Sequence, residues 1–534
     1  MDTTSVLGAL PALTARGLET LTAMPITTIA IAAVITLLVL HAVGPRVDPR
    51  EPPVVKPRVP FLGHIIGMFQ QQAGYHITLQ RATRKPIATL PMLSGKMYAV
   101  WDPYLIAAGL RSKSLSTTPH ILEATPAACQ LSPPAVDFLR SPGGPELVDR
   151  MMHQVIPSTL KGPSIQRLNQ TALTALAADL TALAPSSTTA VPIPNAWLWL
   201  RHLLTTATGQ AIYGAHDPFA ANPPAEDALW DLEKNLLKLT LNLPRFLAPL
   251  GHSARKVLFD ALTPYYASRK DTDASTSAFV SERATTLRGA GFKDGDVARL
   301  EIMLPFAALA NTVPSLFWLL AYVFSSPAEL VERLRGEVEG LVTKRDGGEV
   351  TLVMTGSVIE ERCPLLMSCY REMQRKTVHQ VSTRTVMEDT VLKGRDGREY
   401  LLKKGNVVQL VIGAGHNMKE YWGEHVDEFK PERFLRKGDG EDGPGSFKAM
   451  RAAFQPFGGG LHLCPGRNFA FAEMMAVMAT LLLGYEVELL DELPAFSTRS
   501  VIDAVTKPAR HGEGFGVNIK RREGWEGVRW AYEL

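Results

Sequence analysis

The segment Phe457-Gly458-Gly459-Gly460-Leu461-His462-Leu463-Cys464-Pro465-Gly466-Arg467-Asn468-Phe469-Ala470 sets one cysteine between a glycine triplet and a Pro-Gly pair. A long, largely apolar run, Phe469 to Leu483, follows it. Proline suits the first helical position, where its missing N–H would be unpaired anyway. Cys464 is therefore predicted at or just before a helix start, where the positive end of the helix dipole favours thiolate over thiol. The glycines let the backbone pass close to something flat and large, and leave its N–H groups free to hydrogen-bond a sulfur. A thiolate held this way suits a metal, and with one cysteine the other ligands must come from elsewhere. A haem meets that need, because the porphyrin supplies four nitrogens and the protein one axial sulfur. A buried free cysteine and a zinc ligand are the competing readings. Zinc fails on arithmetic: Cys129, Cys363, Cys369 and Cys464 form no C-x-x-C pair, and no second ligand set lies near Cys464.

The spacing F-x-x-G-x-(basic)-x-C-x-G resembles the haem-binding loop of cytochromes P450. Phe457, Gly460, His462, Cys464 and Gly466 match it, with His462 where arginine is usual. The resemblance implies haem b, with Cys464 as axial ligand to the iron and His462 facing a propionate. Upstream, Pro364 to Arg375 reads as a helix with proline in its first turn, and Glu372 and Arg375, three apart, share a face. Alone, such a pair is a commonplace surface feature. Its distance before the cysteine matches the P450 E-x-x-R. Pro431-Glu432-Arg433-Phe434 matches the family's P-E-R-F, whose arginine joins the pair. A buried Glu–Arg–Arg set is costly unless fully hydrogen-bonded; its implied role is structural, locking the backbone of the cysteine loop. Arg384, in Ser382-Thr383-Arg384, sits where the family often places a propionate-binding arginine; the alternative is a surface arginine. His416-Asn417 and Trp422-Gly423 also fit the family pattern. The usual W-x-x-x-R of the third long helix is missing, with His153 or Lys161 as candidate substitutes.

At 534 residues the chain has room for up to three domains, but no linker divides it after the N-terminus. Hydrophobic content of 46% with 20% charged residues describes a well-filled core. A net charge of +3 predicts no nucleic-acid role. Few cysteines, unpaired in spacing, fit a reducing compartment.

Met24 to Val43 carries no formal charge. Twenty residues in a helix span the roughly 30 Å hydrocarbon core. Arg16 is the one basic residue before the run, whereas Arg46, Arg50, Lys56 and Arg58 follow it, so the bulk of the chain is expected on the cytosolic side. A cleaved signal peptide fits less well, since the run is long, starts late and lacks a strongly positive leader. Pro45, Pro49, Pro52, Pro53, Pro57 and Pro60 then suggest a semi-rigid spacer. The expected organisation is a lumenal segment (1–23), a transmembrane anchor (24–44), a proline-rich linker (45–60) and a P450 catalytic domain (61–534). That places the protein in the endoplasmic reticulum membrane as a single-pass protein.

The fold is expected to be mainly α with small antiparallel β-sheets, the cytochrome P450 fold. Lys85 to Tyr104 reads as strands. Residues 130–290 read mostly helical, with Ala/Leu periodicity over Arg167–Leu183 and Asp227–Leu241. Tyr485–Leu490 and Gly514–Lys520 are strand-like. Asn169-Gln170-Thr171 is a glycosylation sequon that a cytosolic domain leaves unmodified.

Ile302 to Phe324 is a second uncharged run long enough to span a membrane. Pro305, Asn311 and Pro314 inside it argue against a span, and a second span would put Cys464 in the lumen. The competing reading is the central helix that passes over the haem opposite the thiolate. Pro314 has no N–H to give the Ala310 carbonyl, so a kink is expected beside Asn311 and Thr312. These two are the candidate catalytic residues of a polar notch; the bland reading of Asn311 is a hydrogen bond to a neighbouring helix. Against the family's (A/G)-G-x-(D/E)-T-(T/S), the segment Ala307-Ala308-Leu309-Ala310-Asn311-Thr312 replaces the acid by Ala310 and the alcohol by Asn311. With Pro314 and Phe317-Trp318 this resembles the branch containing prostacyclin synthase and the bile-acid sterol hydroxylases.

The resemblance implies a monooxygenase that oxidises a hydrophobic small molecule such as a sterol, terpenoid or polyketide. Motif details look fungal, which suggests secondary metabolism. The loop Ala504-Val505-Thr506-Lys507-Pro508 is where the family often contacts substrate. No flavin or nicotinamide domain follows, so NADPH electrons would arrive through a separate cytochrome P450 reductase. A redox-neutral isomerase or dehydratase acting on a peroxide is the second reading, and a haem-binding sensor or carrier the third.

Overall fold

Proline opens several of the long helices. Its missing N–H costs nothing in the first turn, where no intrahelical partner exists. Pro103 opens α1 (Pro103–Arg111), capped by Asp102, whose carboxylate accepts from the N–H groups of Tyr104 and Leu105. The chain then forms α2 (Gly143–Arg150), α3 (Gly162–Ala182), α4 (Ala196–Tyr213), α5 (Pro224–Thr240) and α6 (Pro249–Ala267). Next come α7 (Met303–Leu309), α8 (Thr312–Phe324), α9 (Pro364–Thr377) and α10 (Arg467–Gly484). The computed structural model describes residues 47–57, 64–71, 73–92, 95–435, 446–496, 504–508 and 514–534, together with Val34. The expected anchor, apart from Val34, and the whole of 1–23 lie outside the described residues.

The expectation of strands between Lys85 and Tyr104 is met by β1 (Ile87–Met92) and β2 (Gly95–Val100), which pair antiparallel. With β3 (Leu115–Ser116), β4 (Val381–Val386) and β5 (Val407–Val411) they make one five-stranded sheet in the order β1-β2-β5-β4-β3. Its β5–β2 pairing is parallel, as is the pairing of Arg529–Glu533 with Glu349–Val353 elsewhere. The small sheets are therefore mixed as well as antiparallel. Such pairings join strands hundreds of residues apart, and alternation within a strand carries no information on partner direction.

The stretch expected as a semi-rigid spacer docks along β1 over 53–55. Val55 donates to the Thr89 carbonyl and Thr89 donates to the Pro53 carbonyl, both at 3.0 Å. Glu51 is buried and accepts from Lys96 Nζ at 2.7 Å and Tyr98 Oη at 2.6 Å. Prolines are compatible with this because an edge segment needs few donors.

The main core is helical. Among the described residues, Asp294–Phe324 is the one run long and apolar enough to cross a membrane, yet 72% of its apolar window is buried inside the protein. It is the central helix, as its internal prolines imply. Helix α8 is buried on almost every side. Phe317 meets Trp197 of α4 edge-on at 5.5 Å and Phe515 at 4.9 Å, and Tyr322 stacks on Phe429 at 4.4 Å. An all-round apolar helix must be covered this way in water. The helix opens between α7 and α8 at Ala310 and Asn311, four and three residues before Pro314.

Candidate active site

Cys464 lies at the end of a short loop pinned from both sides. Its N–H donates to the Phe457 carbonyl at 3.0 Å, and Gly458 N–H donates to the Gln455 carbonyl at 3.1 Å. Phe457 packs against the main core. Gly458 and Gly460 both have positive φ, +73° and +60°. A Cβ on Gly460 would sit 2.3 Å from the Leu110 carbonyl oxygen of α1. The glycine is thus required by close approach to protein backbone, where the sequence suggested a flat ligand. Beside Gly466 a Cβ would meet nothing within 4 Å.

Helix α10 starts at Arg467 with Gly466 at its N-cap, two residues later than Pro465 suggested. The Arg467 guanidinium donates to the Cys464 carbonyl at 3.0 Å. Burial pushes the Cys464 thiol up from its ordinary value; the N–H of Gly466, the Arg467 charge and the Arg467 N–H oppose it. The helix start thus favours the thiolate, as the sequence expects, and burial acts against it. A coordinating metal deprotonates a thiol outright.

Glu372, Arg375 and Arg433 come together in one buried cluster. Arg375 donates to Glu372 through Nε and Nη2, each at 2.8 Å, and Arg433 Nε donates to Glu372 Oε1 at 2.9 Å. Both side chains of the Glu372–Arg375 pair are 0% exposed. The remaining guanidinium N–H groups go to backbone carbonyls: Arg375 to His416, Val426 and Glu428, and Arg433 to Trp422 and His425. This is the full satisfaction that a buried ion set requires.

A further link joins the cluster to the cysteine loop. His416, whose carbonyl Arg375 holds, has its Nδ1 3.0 Å from the Val378 carbonyl, while its Nε2 accepts from Gln455 N–H at 3.2 Å. Burial holds this imidazole at about 3, so it is neutral and its tautomer is fixed by these two partners. Gln455 lies two residues before Phe457. Sequence reading found His416 by resemblance but not its role, since the partner is a backbone N–H 39 residues away.

On the other side of the loop, His462, Arg384 and His153 converge. The rings of His153 and His462 meet edge-on at 5.1 Å. His462 is held down at about 4, first by burial and then by the nearby Arg384 and His153; Asp149 opposes this. Arg384 is fully buried, so it is no surface arginine, and burial lowers it to about 10. Its hydrogen bonds to the Leu115 carbonyl and Ser382 hydroxyl are long, 3.4 and 3.3 Å, and its Nε has no partner among the described residues. An orphaned buried cation is unstable without an anion. A haem propionate fits that need, so these residues suit the group that Cys464 implies. Lys161, the other candidate, is exposed at the N-cap of α3.

Asn311 does not point at open space alone. Its Oδ1 accepts from Val505 N–H at 3.3 Å, and Trp318 Nε1 donates to the Thr506 carbonyl at 2.8 Å. The helix break is thereby tied to a loop, where the bland reading had a neighbouring helix. The Thr312 hydroxyl donates to the Ala308 carbonyl at 2.8 Å, and both the N–H and the hydroxyl of Ser315 donate to the Asn311 carbonyl. Sequence reading missed one element here: Lys507 forms a buried ion pair with Glu233 of α5 at 2.6 Å, with Trp230 beside it. No local spacing announces a pair so far apart in the chain.

A helical fold with a single-cysteine loop braced by a buried Glu–Arg–Arg cluster, and with a broken apolar central helix, fits the haem-thiolate class. The family model for cytochrome P450 matches residues 232–511. A cytochrome P450 monooxygenase of Gibberella zeae is 33% identical over 96% of this chain and 97% of its own length. The cytochrome P450 monooxygenase nodJ of Hypoxylon pulicicidum is 29% identical over 91% and 93%. The 25-hydroxycholesterol 7-alpha-hydroxylase of Rattus norvegicus is 28% identical over 48% of this chain and 61% of its own. The chain belongs to the cytochrome P450 family and is a cytochrome P450 monooxygenase.

Proposed function

We propose that this monooxygenase is membrane-associated and inserts one oxygen atom into a C–H bond of a hydrophobic small molecule, a sterol, terpenoid or polyketide, in secondary-metabolite biosynthesis. NADPH serves it through a separate reductase. The reading rests above all on the unbroken run of hydrogen bonds from Glu372 through Arg375, His416 and Gln455 into the Cys464 loop. When bound, a haem supplies the dioxygen chemistry, and an axial thiolate favours O–O cleavage. The chain's part is to hold Cys464 in place, to set Arg384 and His462 against the propionates, and to position substrate under the opened helix. Asn311 holds the loop 504–508 through Val505, and the apolar surroundings of α8 favour an apolar substrate.

Membrane association has two supports. One is the uncharged run Met24 to Val43. The other is the tip between α5 and α6, where Leu241, Phe246, Leu247 and Leu250 are 59%, 79%, 53% and 63% exposed. Large apolar groups clustered in water mark an interaction surface. The proposed location is the endoplasmic reticulum membrane, and the flanking charges support a cytosolic catalytic domain.

A second reading, redox-neutral rearrangement of a peroxide, draws on the replacement of the acid–alcohol pair by Ala310 and Asn311. Reconstitution with sterol, terpenoid and polyketide candidates and a fatty-acid endoperoxide decides between them. Product is expected with NADPH and reductase together and with neither alone. Turnover of the peroxide in the absence of both would overturn the oxygenation reading.

A further inference from the structure

We propose that the cavity at the base of the tip between α5 and α6 binds the headgroup of an anionic membrane phospholipid, with Arg140 and Arg255 as its phosphate contacts. The inference rests on the membrane association proposed above and names the lipid class that this face selects. A cavity of about 830 Å³ adjoins the tip. Its wall includes Asn242, next in sequence to the exposed Leu241, and His252, two residues after the exposed Leu250. His252 Nε2 lies 2.9 Å from the Leu243 carbonyl, so the base of the tip is tied to α6. Another part of the wall is the segment 119–145, which supplies Glu123 and Arg140. The apolar tip and the basic cavity are therefore continuous.

Arg255 is 4% exposed, yet its hydrogen-bond partners are all neutral. Its Nη1 donates to the Ala127 and Ala128 carbonyls at 2.7 and 3.1 Å, and its Nη2 to His252 Nδ1 at 3.1 Å. An imidazole that accepts at Nδ1 and donates at Nε2 is uncharged. The groups that bear on the guanidinium are the Cys129 thiol, kept protonated by burial, and Arg299, another cation. Arg140 ends the helix Pro133–Arg140 and is exposed. Neither Arg140 nor Arg255 forms an ion pair with a carboxylate among the described residues. Glu123 is the one carboxylate in the cavity wall, against these two arginines. A buried cation without a counter-ion is costly, and a phosphate oxygen relieves that cost. The guanidinium fork also matches two phosphate oxygens at once. Arg245, exposed within the tip, adds positive charge beside the apolar residues. Apolar side chains for the acyl layer and arginines for the headgroup level make the two-part surface that an anionic membrane takes. The competing account is that Arg255 merely caps the last carbonyls of the helix Thr118–Ala128.

The test places the full chain, carrying Phe246→Trp, in phosphatidylcholine nanodiscs that contain a minor share of brominated-chain lipid. Bromine in an acyl chain quenches a tryptophan that it approaches. The probe is brominated phosphatidylserine or brominated phosphatidylcholine at the same mole fraction, with the parent chain's fluorescence subtracted. Phosphatidylserine is expected to quench more strongly. Arg140→Gln and Arg255→Gln are each expected to lower that preference roughly fivefold, the worth of one basic side chain at an anionic surface. Arg167→Gln, at an exposed arginine outside the cavity, keeps the wild-type preference. Should Arg255→Gln fold poorly, Arg140→Gln and Arg140→Glu at the exposed helix end carry the comparison. Inorganic phosphate at constant ionic strength leaves the preference intact, and its loss there would overturn the assignment to lipid. Equal quenching by the two lipids, or a preference that neither arginine variant lowers, would also overturn it while leaving the tip in the bilayer. Quenching by neither lipid would sink the membrane contact of the tip and, with it, the inference that rests on it.

Discussion

Glu372→Ala is expected to yield no stable haem-loaded protein. The carboxylate is fully buried and neutralises two guanidinium groups, Arg375 and Arg433, at 2.8 and 2.9 Å. It also accepts from Lys430 N–H at 3.0 Å. Removing it leaves two cations in the interior, and breaking a buried pair costs about 3–5 kcal/mol. A domain's whole stability is about 5–15 kcal/mol, so this one change uses much of it. The loss passes along the backbone, because Arg375 and Arg433 together hold carbonyls from His416 to Glu428. His416 in turn holds Gln455 at the head of the cysteine loop. Denaturant unfolding followed by circular dichroism, with haem content per chain, measures both consequences. Glu372→Gln keeps the shape but not the charge and is expected to lose nearly as much. Wild-type stability and haem content in Glu372→Ala would show that the cluster is not the brace of the loop.

The second large effect concerns pH. Glu473 of α10 is 1% exposed and its Oε1 accepts from the Thr208 hydroxyl of α4 at 2.7 Å, while its Oε2 has no partner among the described residues. Burial raises its carboxyl from 4.5 to about 8, with the Thr208 hydrogen bond opposing. The folded chain therefore holds a proton that the unfolded chain releases. Stability from this group is complete below about pH 4.5 and is lost as pH rises towards about 8, above which the loss levels off. The full span corresponds to something on the order of 5 kcal/mol. Glu473→Gln, which is neutral at every pH, is expected to be more stable than wild type at alkaline pH and to lose this part of the slope. Unfolding free energies of the two proteins across that range provide the check. Parallel curves would mean that the carboxyl is hydrated or paired in solution.

The parts of the site carried by short spacings were legible in the sequence. Glu372 and Arg375 share a helix face because they are three apart, and the cysteine loop is a single contiguous segment. Pro314 announced the opening of the central helix, since a missing N–H is a local fact. What escaped is what long-range packing decides. Val505 reaches Asn311 across 194 residues, and Gln455 reaches His416 through a backbone donor. The Lys507–Glu233 pair has no local signature either. Gly460 was legible as a necessary glycine, but its close approach to the Leu110 carbonyl of α1 was not, because sequence does not say which helix packs there. The helix-start contribution to Cys464 was legible, but the opposing burial was not, as burial is a property of the whole fold. The stretch 47–57 looked like a spacer because proline run and edge segment share a composition.

The central claim is that Cys464 is the axial ligand of a haem held by this chain. Carbon monoxide added to the dithionite-reduced, purified protein tests it most directly. The wild-type Soret band is predicted at the long-wavelength position of thiolate ligation, with Cys464→Ala lacking it while Cys129→Ala, Cys363→Ala and Cys369→Ala retain it. A wild-type band at the short-wavelength position of a histidine-ligated haem, or an unchanged long-wavelength band in Cys464→Ala, would contradict the account.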